Sequence, residues 1–310
     1  MAHVENPASP LVSKLKGVHL FHFDGAPCAQ RVRFALGEKG LTRGNEVKYT
    51  ADDEASCLAS EGTWTSRIVS LVKKDHLTDF YSQIQPNLVV PALVHDGQLW
   101  IESMDIIAYL DDAFGGDRLV PTDAPELKKT AESLTQKGEK LHRSIRFVTF
   151  RWGLGRLGRL NGKEESKLKE LLVNANDGEK LVDFYSDYDN NSIDESVYYE
   201  HLRKLFDAFT EQEQKLSDGR QFLTSDRLTM ADVLWAMKIL RLKECGYPFE
   251  SHHPLVNAWF LRMFNRPAFQ SGVLGKHKAL NRVFKFKASI ENFLGAGLVK
   301  AVNSLDREAA

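Results

Sequence analysis

Only three cysteines, Cys28, Cys57 and Cys245, stand in this chain of 310 residues, and no two of them share a redox-pair or metal-ligand spacing. Counting alone therefore excludes a dithiol motif, a zinc knuckle and a disulfide framework. A sparse, odd set of thiols fits a reducing compartment, so the expected location is cytoplasmic. An excess of one charge is also lacking: 41 Lys and Arg face 42 Asp and Glu, for a formal net charge of −1. The basic footprint of a nucleic-acid binder is absent, and no nucleic-acid partner is expected. No apolar run approaches the roughly 18 residues that a membrane span needs, and residues 1–17 carry no apolar core of a signal peptide, so neither is expected. His252-His253 lacks the spacing of a metal pair, and no metal is expected.

What is present is the composition of an ordinary globular chain, 43% hydrophobic and 27% charged, long enough for two domains. Residues 18–23 alternate like a strand, and Asp24-Gly25-Ala26-Pro27 is turn chemistry. From 28 to 39 the pattern becomes helical, with Val32, Ala35 and Leu36 on one face and Gly40 at the end. Residues 46–49 read as a second strand, making a βαβ unit with parallel strands. Residues 50–86 are too long for a connection and read as an insertion over a cleft, with Trp64, His76 and Tyr81 as candidates for substrate contact. Residues 92–94 and 98–101 flank Asp96-Gly97, a hairpin signal, and 103–114 is helical. Gly115-Gly116 with Pro121 and Pro125 marks a linker. The expected organisation is an α/β domain over 17–116 (βαβ, insertion, ββα) and an all-α domain over 122–310. Within the latter, Thr229 and Asp232 form a capping box, with Leu228 and Val233 at the staple positions. They open a helix whose Val233, Ala236, Met237 and Leu240 form the packing centre. Residues 254–265 give a further helix.

Two places carry chemistry. Val90 precedes Pro91 and cannot easily be helical, and an X-Pro bond at a strand start is a candidate cis bond. A cis bond there turns the Val90 N–H and C=O outward, free to pair with an extended peptide. Glu102 and Ser103, at the next helix start, would face an amino group and a carboxylate. Glutathione has all three features. The second place is Cys28, in the first turn of the 28–39 helix. Unpaired N–H groups and the macrodipole favour an anion there, which raises the thiolate fraction. Arg31 and Arg33 are positioned to add positive potential. The plain alternative is that Cys28 packs and does nothing chemical.

In these residues the chain resembles the glutathione transferase superfamily, over roughly 18–114 and 216–273. Val90-Pro91, Glu102-Ser103 and the Thr229/Asp232 box carry most of the likeness. The resemblance implies a thioredoxin-like first domain, an all-helical second domain, glutathione as cosubstrate and a homodimer. It also implies that the Val90 backbone beside Pro91 pairs with the cysteinyl part of glutathione, while Glu102 and Ser103 hold its γ-glutamyl end. The segment from Ala26 to Arg33 resembles the zeta class and the chlorohydroquinone reductive dehalogenases, both of which place a cysteine where Cys28 stands. Residues 88–94 and 225–235 resemble those dehalogenases too. Zeta-like members carry a serine in the two positions before the cysteine, where this chain has Ala26 and Pro27. With no hydroxyl beside it, Cys28 itself becomes the expected catalytic group. The implied activity is a glutathione-dependent transferase or reductase acting on a small apolar or aromatic electrophile, with reductive dehalogenation as its sharpest form. Aryl-ether cleavage, cis–trans isomerisation and binding without catalysis are the alternatives on the same fold.

Other motifs read as bland. Gly153-Leu154-Gly155-Arg156-Leu157-Gly158 matches G-x-G-x-x-G but lacks a following apolar strand. It reads as a basic loop with Arg146, Arg151, Arg156 and Arg159. Trp152 is placed on the wall of the second domain and Trp235 in its core. Residues 276–300 are expected to pack back over their own domain rather than lie on a membrane.

Overall fold

The computed structural model describes residues 2–154, 159–172, 178–274, 282, 286–291, 295 and 297–309. Among the described residues six strands run in chain order: β1 His3–Val4, β2 Val18–His22, β3 Thr42–Lys48, β4 Thr63–Ile68, β5 Ala92–His95 and β6 Gln98–Ile101. The helices are α1 Leu11–Lys14, α2 Pro27–Glu38, α3 Glu54–Cys57, α4 Asp79–Ser82, α5 Ser103–Ala113, α6 Pro125–Lys140 and α7 His142–Val148. They continue as α8 Gly162–Leu171, α9 Gly178–Asp189, α10 Glu195–Leu216, α11 Met230–Glu244, α12 Phe249–His252, α13 Pro254–Phe264 and α14 Leu298–Ala309. Wide π turns occupy Thr149–Leu154 and Phe269–Leu274. The chain forms two compact units, Met1–Asp117 with Arg159–Ser192 and Ser271–Val273, and Arg118–Gly158 with Ile193–Gln270 and Leu274–Ala310.

The first unit is built on one sheet in the order β1-β6-β5-β2-β4-β3. The expected strand near 46–49 exists, but it is not the neighbour of β2. β4, from within the expected insertion, lies between them and runs parallel to both. The reason is burial. Every residue of β2 is buried, so it needs a covered partner on each side. β4 buries Trp64, Thr65, Ser66 and Arg67, whereas β3 is largely wet and suits an edge. The polar groups of β4 are satisfied inside: Ser66 Oγ meets His22 Nε2 at 2.9 Å, and Arg67 donates to the Ala51 and Ser56 carbonyls at 2.8 and 2.6 Å. Trp64 is buried under the Arg43 guanidinium, and Tyr81 is wholly buried. Both are core residues, not the substrate contacts expected of them.

The β5–β6 hairpin turns at Asp96 and Gly97, both with positive φ (50° and 80°), as the tight primed turn requires. α2 and α5 are tied at their far ends by Lys39 Nζ and Asp111 Oδ1, 2.6 Å apart with both side chains out of water. Leu11, Val12, Leu15, Phe21, Ala29, Val90 and Val94 belong to one buried cluster. A second joins Leu77 and Leu88 to Leu168 and Leu172, which brings the α8–α9 hairpin into this unit.

The second unit is helical around α11, which is buried almost throughout. Thr229 caps it in the expected box with Asp232. Gly138 lets α6 approach: a Cβ there would stand 2.2 Å from Leu234 Cδ2 and 3.0 Å from Trp235 Nε1. Trp235 is core, donating to the Leu134 carbonyl at 3.1 Å. Both carboxylate oxygens of Glu213 accept the first amides of α13, Leu255 and Val256, at 2.8 Å. His253 is buried against the Thr210 and Tyr247 hydroxyls. Among the described residues no group of three or more metal-ligating side chains occurs, and no helix is long and apolar enough to cross a membrane. Gly153 lies in a helical turn after α7 and not after a strand, and positions 155–158 of that motif lie outside the described residues. Of the 276–300 segment, residues 276–281, 283–285, 292–294 and 296 lie outside them as well. Lys287 there donates to the Trp152 carbonyl of its own unit at 3.2 Å.

Burial pushes the pKa of His19, His76 and His201 down from 6.5 to about 4. Their folded values lie below the unfolded one, so the neutral rings contribute stability above about pH 6.5 that is lost as pH falls toward 4. The expected thermal midpoint is flat from pH 8 to about 6.5 and declines from there to about 4. A midpoint that rises on acidification through that window would contradict the burial of these rings.

Candidate functional site

α2 begins with Ala26 in an extended conformation, Pro27 at the first helical position and Cys28 next. Proline is suited to that position because its missing N–H is one of the orphans there. No side chain caps the helix start, so its first amides remain available to an anion. Cys28 is partly exposed, whereas Cys57 and Cys245 are buried. Burial pushes the Cys245 thiol up to about 12.

The two arginines that follow Cys28 have targets of their own. Arg33 is buried and fastens the β2–α2 loop. It donates to the Phe23 carbonyl at 3.2 Å, the Asp24 carbonyl at 2.8 Å and the Gly272 carbonyl at 2.7 Å. Burial lowers its pKa to about 10, against the attraction of Asp24. Its part is to hold the loop that delivers Pro27 and Cys28, which differs from the expected role of lending potential to the thiol. Arg31, also buried, donates to Ser103 Oγ at 3.1 Å. It thereby joins the second turn of α2, one turn on from Cys28, to the first residue of α5.

Glu102 precedes α5 with φ 66° and ψ 113°. A glutamate rarely adopts positive φ, and such conformations cluster at functional sites. Glu102 is exposed while Ser103 is buried. Across from them runs the strap 87–91, fastened residue by residue. Asn87 Nδ2 donates to Glu102 Oε1 at 3.2 Å, and its backbone N–H to Gln85 Oε1 at 3.1 Å. Leu88 enters the leucine cluster with Leu168 and Leu172. The Tyr81 hydroxyl donates to the Val89 carbonyl at 2.8 Å, and Gln85 Nε2 to the Pro91 carbonyl at 3.3 Å. The Val90–Pro91 bond is cis. The Val90 side chain is buried in the sheet core, yet among the described residues its own N–H and C=O make no hydrogen bond.

The arrangement thus brings together Val90, Pro91, Glu102 and Ser103, and links Ser103 to the helix turn of Cys28. Thr229 and Asp232 belong to the second unit and are structural. Sequence reasoning did not find Tyr81, Gln85 and Asn87 as holders of the strap, nor Arg31 as the tie to Ser103. No spacing signals such contacts, because each joins segments that only folding brings together. Chemically, the strap offers one free donor and one acceptor, Glu102 an exposed carboxylate, and two helix starts unpaired amides for anions.

The model of the glutathione S-transferase N-terminal domain matches residues 20–118, and that of the C-terminal domain residues 173–267, together more than half of the chain. A 2,5-dichlorohydroquinone reductive dechlorinase of Sphingobium indicum is 28% identical over 297 residues, covering 82% of this chain and 82% of its own. Glutathione S-transferase Z2 of Arabidopsis thaliana is 32% identical over 136 residues, 43% of this chain and 50% of that protein. Among solved structures, a beta-etherase of Sphingobium sp. strain SYK-6 superposes with a TM-score of 0.66 at 20% identity, over 82% of this chain and 97% of its own. That last likeness is one of fold.

Proposed function

The chain belongs to the glutathione S-transferase family, and we propose that it uses glutathione to reduce a small chlorinated aromatic, with the Cys28 thiolate as nucleophile. Glutathione is the cosubstrate of the family. The observation that carries this reading is the unengaged Val90 amide edge held beside Glu102 and Ser103. One donor, one acceptor, one carboxylate and one helix start match the backbone, ammonium and carboxylate of one tripeptide. Glu102 takes the ammonium, Ser103 the γ-glutamyl carboxylate, and Val90 the cysteinyl backbone.

The chemistry follows in three balanced steps. A glutathione thiolate displaces chloride from the ring and leaves an aryl thioether. The Cys28 thiolate attacks the glutathione sulfur of that thioether; a Cys28–glutathione disulfide forms, and the ring carbon leaves with the electron pair and takes up a proton. A second glutathione thiolate attacks the mixed disulfide, regenerating the Cys28 thiolate and releasing glutathione disulfide. Two glutathiones are consumed per chloride released. The site contributes a thiolate at a helix start and the alignment of two reactants. The relationship to the dechlorinase, spread over most of both chains, supports this substrate class.

Steady-state turnover of a chlorinated hydroquinone with glutathione tests the proposal. The expected yield is one chloride and one glutathione disulfide per two glutathiones, and an aryl thioether that accumulates without disulfide would remove the reductive step. The alternatives separate on their own substrates: ether cleavage releases a phenol from an aryl ether, isomerisation converts a cis alkene acid without consuming glutathione, and a binding protein turns over none of them. Glu102→Ala is expected to weaken glutathione binding by about 1–3 kcal/mol, roughly 5- to 150-fold in Kd. An unaltered Kd by calorimetry would contradict the role of Glu102. We also propose a cytoplasmic homodimer, whose mass is read by sedimentation.

A further inference from the structure

We propose that the α8–α9 hairpin is a positioning element of the peptide site and acts on it through Leu88. The inference rests on the glutathione reading of that site and adds to it a part that neither family model covers in full. The matched residues end at 118 and resume at 173, so α8 lies between them.

In the strap 87–91, Asn87, Val89 and Pro91 are held by Glu102, Tyr81 and Gln85, all from the stretch before residue 118. Leu88 is held differently. It sits at φ 54°, a conformation that leucine rarely adopts and that persists only where surroundings over-determine it. Its side chain is buried with Leu77, Leu168 and Leu172, and Leu171, Leu181, Val182 and Tyr185 pack around them. Two residues on, Val90 is buried in the separate cluster under the sheet. The strap is therefore strung between two hydrophobic anchors, and its free amide edge lies between them.

The hairpin is itself braced. Asn161 and Glu164 form a reciprocal capping box at the start of α8, and the Leu160 N–H donates to both oxygens of Asp189 at the end of α9, at 3.3 and 3.2 Å. Lys167 Nζ reaches Asp79 on α4 at 2.8 Å, the helix that also carries Tyr81. The α8 end of the hairpin thus grips both Leu88 and the helix that holds Val89. Loosening it shifts the Val90 edge, which binds the peptide. The turn of Cys28 has a fastening of its own, from Arg33 to the Phe23, Asp24 and Gly272 carbonyls.

The test compares the full-length protein with Leu168→Ala, Leu168→Met and, as a baseline for general loosening, Leu205→Ala, a buried site on α10. Leu168→Ala is expected to raise the glutathione Kd about tenfold or more by calorimetry, with Leu168→Met and Leu205→Ala within about threefold of wild type. Deuterium uptake at amides 87–90 is expected to quicken in Leu168→Ala alone, while alkylation of Cys28 by iodoacetamide keeps its rate. Should Leu168→Ala fail to fold, Leu168→Val decides with the same readouts. A folded variant with wild-type Kd and wild-type exchange at 87–90 overturns the proposal. Failure of the unaltered protein to bind glutathione is a different result: it overturns the site reading, and the exchange data, which need no ligand, still decide whether the hairpin controls the strap.

Discussion

Cys28→Ser is expected to lower reductive turnover by about a thousandfold or more, the scale on which enzymes lose a nucleophile, while glutathione affinity stays within about twofold of wild type. The two effects separate because the groups that bind and the group that reacts sit on different elements. The peptide edge belongs to the strap and the carboxylate partners to the start of α5, whereas Cys28 stands at the uncapped start of α2. Serine fits the same space, but its hydroxyl is not ionised near neutral pH and cannot attack sulfur as a thiolate does. No other thiol is placed to substitute. Cys57 and Cys245 are buried, and burial holds the Cys245 thiol at about 12. Turnover in the serine variant within about tenfold of wild type would remove Cys28 from the mechanism.

The largest stability effect is expected at Asp232. Asp232→Ala should cost about 3–5 kcal/mol, on the scale of breaking a buried hydrogen-bonded charge. The carboxylate is fully buried and accepts four bonds. Oδ2 takes the Thr229 N–H at 2.9 Å and the Thr229 hydroxyl at 3.0 Å. Oδ1 takes the Leu223 N–H at 2.9 Å and the Trp259 indole N–H at 3.0 Å. Burial raises its pKa and these donors oppose the rise. Alanine strands the donors in a space that water does not reach, and it uncaps α11, the helix around which the second unit packs. Asp232→Asn is expected to recover only part of the loss, because it turns an amide donor toward other donors. Thermal unfolding should fall by roughly 6–15 °C for the alanine variant. A fall below about 2 °C would mean that the capping box does not bear on the core.

How far such contacts can be read from a sequence depends on their range. The β5–β6 hairpin was legible because Asp96-Gly97 fits a primed turn, and α2 because apolar spacing and Gly40 bound it. The capping box was legible because its two members are three residues apart. The cis bond at Pro91 was legible as a candidate from the residue type alone. β4 was not, since Thr63-Trp64-Thr65-Ser66-Arg67-Ile68 looks like a polar connection. Its polar groups are buried against His22, Arg43 and the 51–56 backbone, partners known only after folding. Arg31 and Arg33 were visible beside Cys28, yet a guanidinium has a long reach, and spacing does not say that one meets Ser103 and the other the Phe23, Asp24 and Gly272 carbonyls. The grouping of α8 and α9 with the first unit turns on two pairs of leucines about 80 residues apart, Leu77 with Leu88 and Leu168 with Leu172, and no local pattern links the pairs.

Peptide mass spectrometry after incubation with glutathione disulfide tests most directly whether the tripeptide sulfur comes to rest beside the partly exposed thiol at the start of α2. The account predicts an adduct of about 305 Da on Cys28, with Cys57 and Cys245 unmodified in the folded protein. An unmodified Cys28, or three cysteines labelled alike, would contradict it.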